Sequence, residues 1–140
     1  MLQTISDWLF DIKNKKILML GLSKSGKTSI LYKCYLNIKG LLKVVETTGF
    51  NVETVRIKNF NLTFWDISGE AIYWHYYLIQ TNIFVWVIDI PDKESFTKSK
   101  EEFWHIIKHP ILNGKPVIIV ANKCDNQNVD YDDVISFFEF

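Results

Sequence analysis

Residues 16–28 read Lys-Ile-Leu-Met-Leu-Gly-Leu-Ser-Lys-Ser-Gly-Lys-Thr. A short apolar run, the length of a buried strand, leads directly into G-x-x-x-x-G-K-[ST], and a helical pattern opens at Lys27. Each residue type has a physical task. Gly21 and Gly26 let the backbone curl so that the successive N–H groups of Gly21, Leu22, Ser23, Lys24, Ser25 and Gly26 point at phosphate oxygens. The helix that follows turns its positive end toward the same anion. Lys27 can reach the β- and γ-phosphates, and the Thr28 hydroxyl can ligate Mg²⁺.

Outward from this loop, strand-like runs occur at 16–20, 51–57, 62–67, 83–89 and 117–121. The 51–57 and 62–67 pair, joined by Lys58–Asn61, reads as a hairpin. Helical segments are expected at 27–39, 93–109 and about 130–140, with Pro110 stopping the long one. Continuous apolar strands separated by helices predict an α/β domain, a mostly parallel sheet with helices on both faces. At the N-terminus, Ile5, Trp8, Leu9 and Ile12 form one apolar stripe, and Thr4 with Asp7 fits a capping box. The expected division is an amphipathic helix in 1–15 and a nucleotide-binding domain in 16–140. Gly40–Thr48 is the least periodic stretch and reads as a loop.

Two further motifs stand at strand ends. Asn122-Lys123-Cys124-Asp125 follows the run at 117–121, at the carboxyl edge where ligands of open α/β sheets bind. A carboxylate at Asp125 can accept from both N–H donors of guanine, a pair that adenine lacks. Lys123 can lie along the base or ribose, and Asn122 can tie this loop to the phosphate loop. Asp66-Ile67-Ser68-Gly69 ends another strand. Asp66 can hold a Mg²⁺-bound water there, and the Gly69 N–H can touch the γ-phosphate. The order of the three motifs makes GTP or GDP with Mg²⁺ the expected cofactors. A P-loop kinase of small metabolites is the competing enzyme class, and the Asn122–Asp125 loop disfavours it.

Composition narrows the rest. With 140 residues, 48% of them hydrophobic and 23% charged, a single packed domain is expected. Lys and Arg balance Asp and Glu at 16 each, so there is no broad basic face for nucleic acid. Cys34 and Cys124 are far apart and read as reduced cytosolic thiols. No signal peptide is expected, because Asp7 and Asp11 interrupt the N-terminal apolar stretch. Leu2 in place of Gly argues against myristoylation. His75, His105 and His109 lack ligand spacing and read as surface or packing residues.

The stretches GLSKSGKTSILYK, TGFNVETV and FWDISGE resemble those of the Arf/Arl (ADP-ribosylation-factor-like) family of small GTPases, from about Ile17 to Asp125. The resemblance implies the small-GTPase form of the P-loop NTPase fold and a GTP/GDP switch in membrane traffic. The switch would be a monomer, cytoplasmic and peripheral at endomembranes, and would hydrolyse GTP slowly. It implies Thr47 as the loop threonine that completes Mg²⁺ coordination. It implies Phe50, Trp65 and Tyr77 as the aromatic cluster shown to effectors and regulators, and the 51–67 hairpin as a sliding element. It also implies that the N-terminal helix makes reversible membrane contact.

The sequence departs from the family in several places. Glu70 stands where the family carries the Gln that positions the attacking water, so Glu70 is the candidate catalytic residue. A hydrolysis-deficient GTP-binding scaffold is the alternative. The Glu70–Trp74 segment is shorter than the family's second switch, so its helix is expected to be cut back. Glu46 replaces the usual Pro before the switch threonine. The pattern stops at Phe140, so the resemblance leaves out the last strand and last helix; an incomplete gene model is the favoured reading, a non-functional fragment another.

Overall fold

A computed structural model describes residues 13–35, 49–125 and 130–139. The N-terminal stripe of Ile5, Trp8, Leu9 and Ile12, the Gly40–Thr48 loop and Thr47 lie outside the described residues.

Five strands form one sheet in the order β2-β3-β1-β4-β5. They are β1 (Lys13–Leu20), β2 (Phe50–Ile57), β3 (Phe60–Ile67), β4 (Ile83–Asp89) and β5 (Val117–Asn122). β1 pairs parallel with both β3 and β4, β4 pairs parallel with β5, and only β2 runs antiparallel, against β3. The hairpin turn is just Lys58–Asn59, with Lys58 at φ 54.

Because side chains alternate along a strand, the central strands feed two cores. Leu18, Leu20, Phe84, Trp86 and Ile88 face one side, and Ile17, Met19, Val85 and Val87 face the other. That is why these strands read as unbroken apolar runs. The first core is covered by α2 (Lys93–Ile107), α3 (Tyr131–Phe138) and a 3₁₀ segment, Ala71–Tyr77. Trp86 ties α2 down through a 3.1 Å bond from its indole N–H to Ser99 Oγ, and packs edge-on against Phe103. Phe138, fully buried, seats α3 on α2, and the Trp104 indole donates to its carbonyl at 2.7 Å. The second core is closed by α1 (Lys27–Ile30) and the residue after it, Leu31, which is fully buried.

Three boundaries differ from the expectation. Lys13–Lys15 belong to β1, where they pair with Phe60–Leu62 of β3. β1 therefore starts three residues before the strand-like run at 16–20. The helix expected over 27–39 is α-helical only to Ile30 and continues as a π-helix over Leu31–Tyr35. Apolar spacing cannot distinguish the two hydrogen-bond registers over so few turns. The long helix ends at Ile107, and Pro110 instead opens a short 3₁₀ turn, Pro110–Leu112. Asp92 caps α2, its carboxylate accepting from the Ser95 N–H at 3.1 Å.

Candidate nucleotide site

The parallel register brings the ends of β1, β3, β4 and β5 to one edge of the sheet, with Met19 opposite Asp66 and Asp89 opposite Asn122. All three motifs emerge there. The Gly21–Thr28 loop leaves β1, Asp66–Gly69 leaves β3, and Asn122–Asp125 leaves β5.

Packing explains the glycines. A Cβ on Gly26 (φ 94) would lie 2.2 Å from Asn122 Nδ2, and one on Gly69 would lie 2.0 Å from the Ser23 nitrogen. Neither gap admits a side chain: Gly69 meets the backbone of Ser23, and Gly26 meets the side chain of Asn122. Lys27 is 5% exposed, and its ammonium donates to the Gly21 and Leu22 carbonyls at 2.7 and 3.0 Å. Its cation is thereby fixed against the backbone of the loop. A lysine cation held within a strand-to-helix glycine loop is an arrangement that suits a polyanion.

The Thr28 hydroxyl hydrogen-bonds Asp66 Oδ2, across 38 residues of sequence. Asp66 is fully buried. A hydroxyl and a carboxylate side by side are hard oxygen donors, the set that suits Mg²⁺, which keeps several waters and takes one or two carboxylates with phosphate oxygens. Among the described residues no three of His, Cys, Asp and Glu gather as a metal cage. Mg²⁺ held in this way requires none.

The Asn122 carboxamide donates to the Ser25 carbonyl at 2.7 Å, linking the β5 loop to the phosphate loop. Lys123, in the left-handed region at φ 61, stretches back to the Lys24 carbonyl and pairs with Asp89 at 2.5 Å. Asp125 lies exposed in the turn beyond them.

Phe50, Trp65 and Tyr77 meet as a triangle, with ring centroids 5.7, 5.7 and 6.3 Å apart. Phe50 is 54% exposed. Glu70 is exposed and sits just before the Ala71–Tyr77 segment, which is a single 3₁₀ stretch.

Two residues escaped the reading of the sequence. Trp74 is buried, edge-on to Trp86 at 5.3 Å, and its indole N–H donates to the Ser68 carbonyl at 2.8 Å. It anchors the segment after Gly69. Nothing in Ile-Tyr-Trp-His-Tyr-Tyr singles it out, because the neighbouring Tyr73 and Tyr76 are exposed. Asp89, the partner of Lys123, ends the run IFVWVID. A polar residue closing an apolar strand was the available signal; the partner across the sheet was not.

A P-loop at the carboxyl edge of a mostly parallel sheet, backed by a strand-ending Asp and Gly, defines an α/β protein of the small-GTPase fold. A solved structure described as that of the Arl6 BBS3 small GTPase from Trypanosoma brucei with a bound nucleotide analogue, GppNp, matches with a TM-score of 0.77. The match has 24% identity and covers 91% of this chain and 78% of that one. The model of the ADP-ribosylation factor family matches residues 1–136. The chain belongs to that family. It is 38% identical over 120 residues to ADP-ribosylation factor 3 of Arabidopsis thaliana, and equally to ADP-ribosylation factor 1 of Brassica rapa subsp. pekinensis. To ADP-ribosylation factor J of Dictyostelium discoideum it is 35% identical over 119 residues. These matches cover 83–84% of this chain, and the chain spans 62–65% of the length of those relatives.

Proposed function

We propose that the chain is a guanine-nucleotide switch that binds GTP and GDP with Mg²⁺. The observation that carries this reading is the convergence of three distant loops on one edge. Thr28 bonds Asp66, Asn122 bonds Ser25, and Gly69 packs on Ser23. In the proposed roles, loop residues 21–26 with Lys27 hold the phosphates, and Thr28 with Asp66 holds the cation. Asn122 and Lys123 keep the base loop in place while Asp125 accepts from guanine. Membership of the ADP-ribosylation factor family supports the same assignment. When bound, Mg²⁺ supplies charge neutralisation at the phosphates. Displacement of labelled GDP by unlabelled GTP, with ATP as control, tests the base preference directly.

Hydrolysis is proposed to be slow. Glu70 can accept a hydrogen bond from water but, ionised, cannot donate one to a phosphate oxygen. Its carboxylate also repels a polyanion. Glu70→Gln should raise the single-turnover rate at least about ten-fold, within the range positioned groups contribute. An unchanged rate would remove Glu70 from the mechanism and favour the second reading, a GTP-holding scaffold without useful turnover.

Effectors and regulators are proposed to read the Phe50–Trp65–Tyr77 triangle, since exposed aromatic clusters are typical anchors of partner binding. A role in vesicle traffic rests on the family. Peripheral attachment to endomembranes rests on the family and on the apolar stripe of residues 5–12. Among the described residues no helix is long and apolar enough to cross a membrane.

A further inference from the structure

At the edge of the sheet opposite the phosphate loops, a cavity of about 780 Å³ opens between the starts of β1, β4 and β5 and the chain after Trp74. It is an open cleft whose volume falls within the range of ligand sites. Trp65, Tyr76 and Tyr77 give it aromatic walls, Lys15, Lys16 and Lys115 line it, and among the described residues no Asp or Glu does. Three cations with no carboxylate among the described lining residues make a local positive field, although the chain as a whole is neutral.

Lys16 is held rigidly. Its ammonium donates to the Tyr77 and Ile79 carbonyls at 2.6 and 2.8 Å and lies 4.5 Å from the centre of the Trp65 ring. Its backbone N–H donates to Asn82 Oδ1 at 2.8 Å, and the Asn82 N–H returns a bond to the Lys16 carbonyl at 2.9 Å. Its partners are thus dipoles and a π face with no negative charge among them, and burial lowers its pKa below the usual lysine value. Lys15 and Lys115 have no ion-pair partner among the described residues.

We propose that this cavity is a second recognition site, which takes the carboxylate of an acidic residue flanked by an aromatic or aliphatic side chain on a partner polypeptide. The lysines match the carboxylate, and the rings match the apolar neighbour. Trp65 and Tyr77 belong both to the cavity wall and to the Phe50 triangle. A segment laid across the triangle reaches the cavity without leaving the surface. This continuity rests on the reading of the triangle as partner-facing.

The test is selection of random twelve-residue peptides displayed on phage against the full chain, run with GDP, with a non-hydrolysable GTP analogue and with no nucleotide. Enriched peptides should share Asp or Glu beside Phe, Trp, Leu or Ile. Their affinity should fall about ten-fold in the Lys15→Gln/Lys115→Gln double variant, as expected for two charge pairs at a partly desolvated rim. An unchanged melting temperature shows that this variant is folded. No enrichment, enrichment without acidic residues, or equal affinity for the double variant overturns the proposal. So does an effect of the lysine changes seen only in sedimentation with phosphatidylserine vesicles, which assigns the cavity to a membrane surface. Peptide binding that emerges only after Asp7 and Asp11 are replaced by Asn assigns it to the chain's own N-terminal segment, and likewise overturns it. Loss of binding in Phe50→Ala alone, with the lysines inert, leaves the triangle as the partner surface and removes the cavity. The reverse pattern keeps the cavity and removes the triangle.

Discussion

At the carboxyl edge of the sheet, Lys27, Asp66 and Ser25 are buried, and the loops that carry them are bonded to one another. Along the β2–β3 hairpin and the 3₁₀ segment, Phe50, Ile72, Tyr73 and Tyr76 are between 48% and 71% exposed. The same chain thus ties its loops together in one region, where Ser25 Oγ and Asp89 Oδ1 nevertheless stay buried without a hydrogen-bond partner among the described residues, and leaves apolar groups exposed in the other. The first region is closed by its loop-to-loop bonds, and orphaned polar atoms within it, costly when left unpaired, suit a polar ligand. Large exposed apolar patches mark surfaces that meet something else, so the second is read as facing outward. Trp74 joins the two, buried against Trp86 while its indole holds the Ser68 carbonyl beside Gly69.

The contrast predicts large effects on nucleotide binding from the closed edge and small effects on stability from the open face. Lys27→Met should have the largest effect, removing a fixed cation from the phosphate cradle. Loss of a charge-assisted contact of this kind should weaken GDP binding on the order of a hundred-fold, measured by titration with a fluorescent GDP analogue. Retained affinity would show that the backbone alone holds the ligand.

Next come the glycines. Gly69→Ala places a methyl 2.0 Å from the Ser23 nitrogen, so backbone must shift. Overpacking of this sort costs about 1–3 kcal/mol, read as a lower urea midpoint. If the midpoint does not move, the two loops are not in contact as described. Asn122→Ala removes the bond to the Ser25 carbonyl, worth about 1–2 kcal/mol, and should speed GDP dissociation about ten-fold in a stopped-flow chase.

The smallest expected effect lies on the open face. Phe50→Ala should change stability by less than about 1 kcal/mol in urea, since a half-exposed side chain loses little packing. A larger loss would mean that the triangle is structural and not partner-facing.

Much of the closed edge was legible in the sequence, because its chemistry is local. Gly-x-x-x-x-Gly-Lys-Thr carries its own geometry, and strands buried on both faces announce themselves as apolar runs such as IFVWVI. Contacts set by register were not legible. Lys123 meets Asp89 only because β5 lies beside β4 with Asn122 opposite Asp89, and neither strand's composition fixes that alignment. The cavity around Lys16 was equally hidden, since it joins residues 14–16, 63, 65, 76, 77, 79–82 and 115. The Ala71–Tyr77 stretch shows neither period 3.6 nor period 2, which left Trp74 indistinguishable from its exposed neighbours.

The central claim is a pocket for guanine nucleotide and Mg²⁺, and titration of the folded chain with a fluorescent GDP analogue, with Mg²⁺ and after chelation, tests it most directly. Micromolar or tighter binding is expected, weakened about ten-fold or more on chelation, and reversed by GDP or GTP but not by ATP. A chain that melts cooperatively yet retains no guanine nucleotide, or that prefers adenosine forms, contradicts the account.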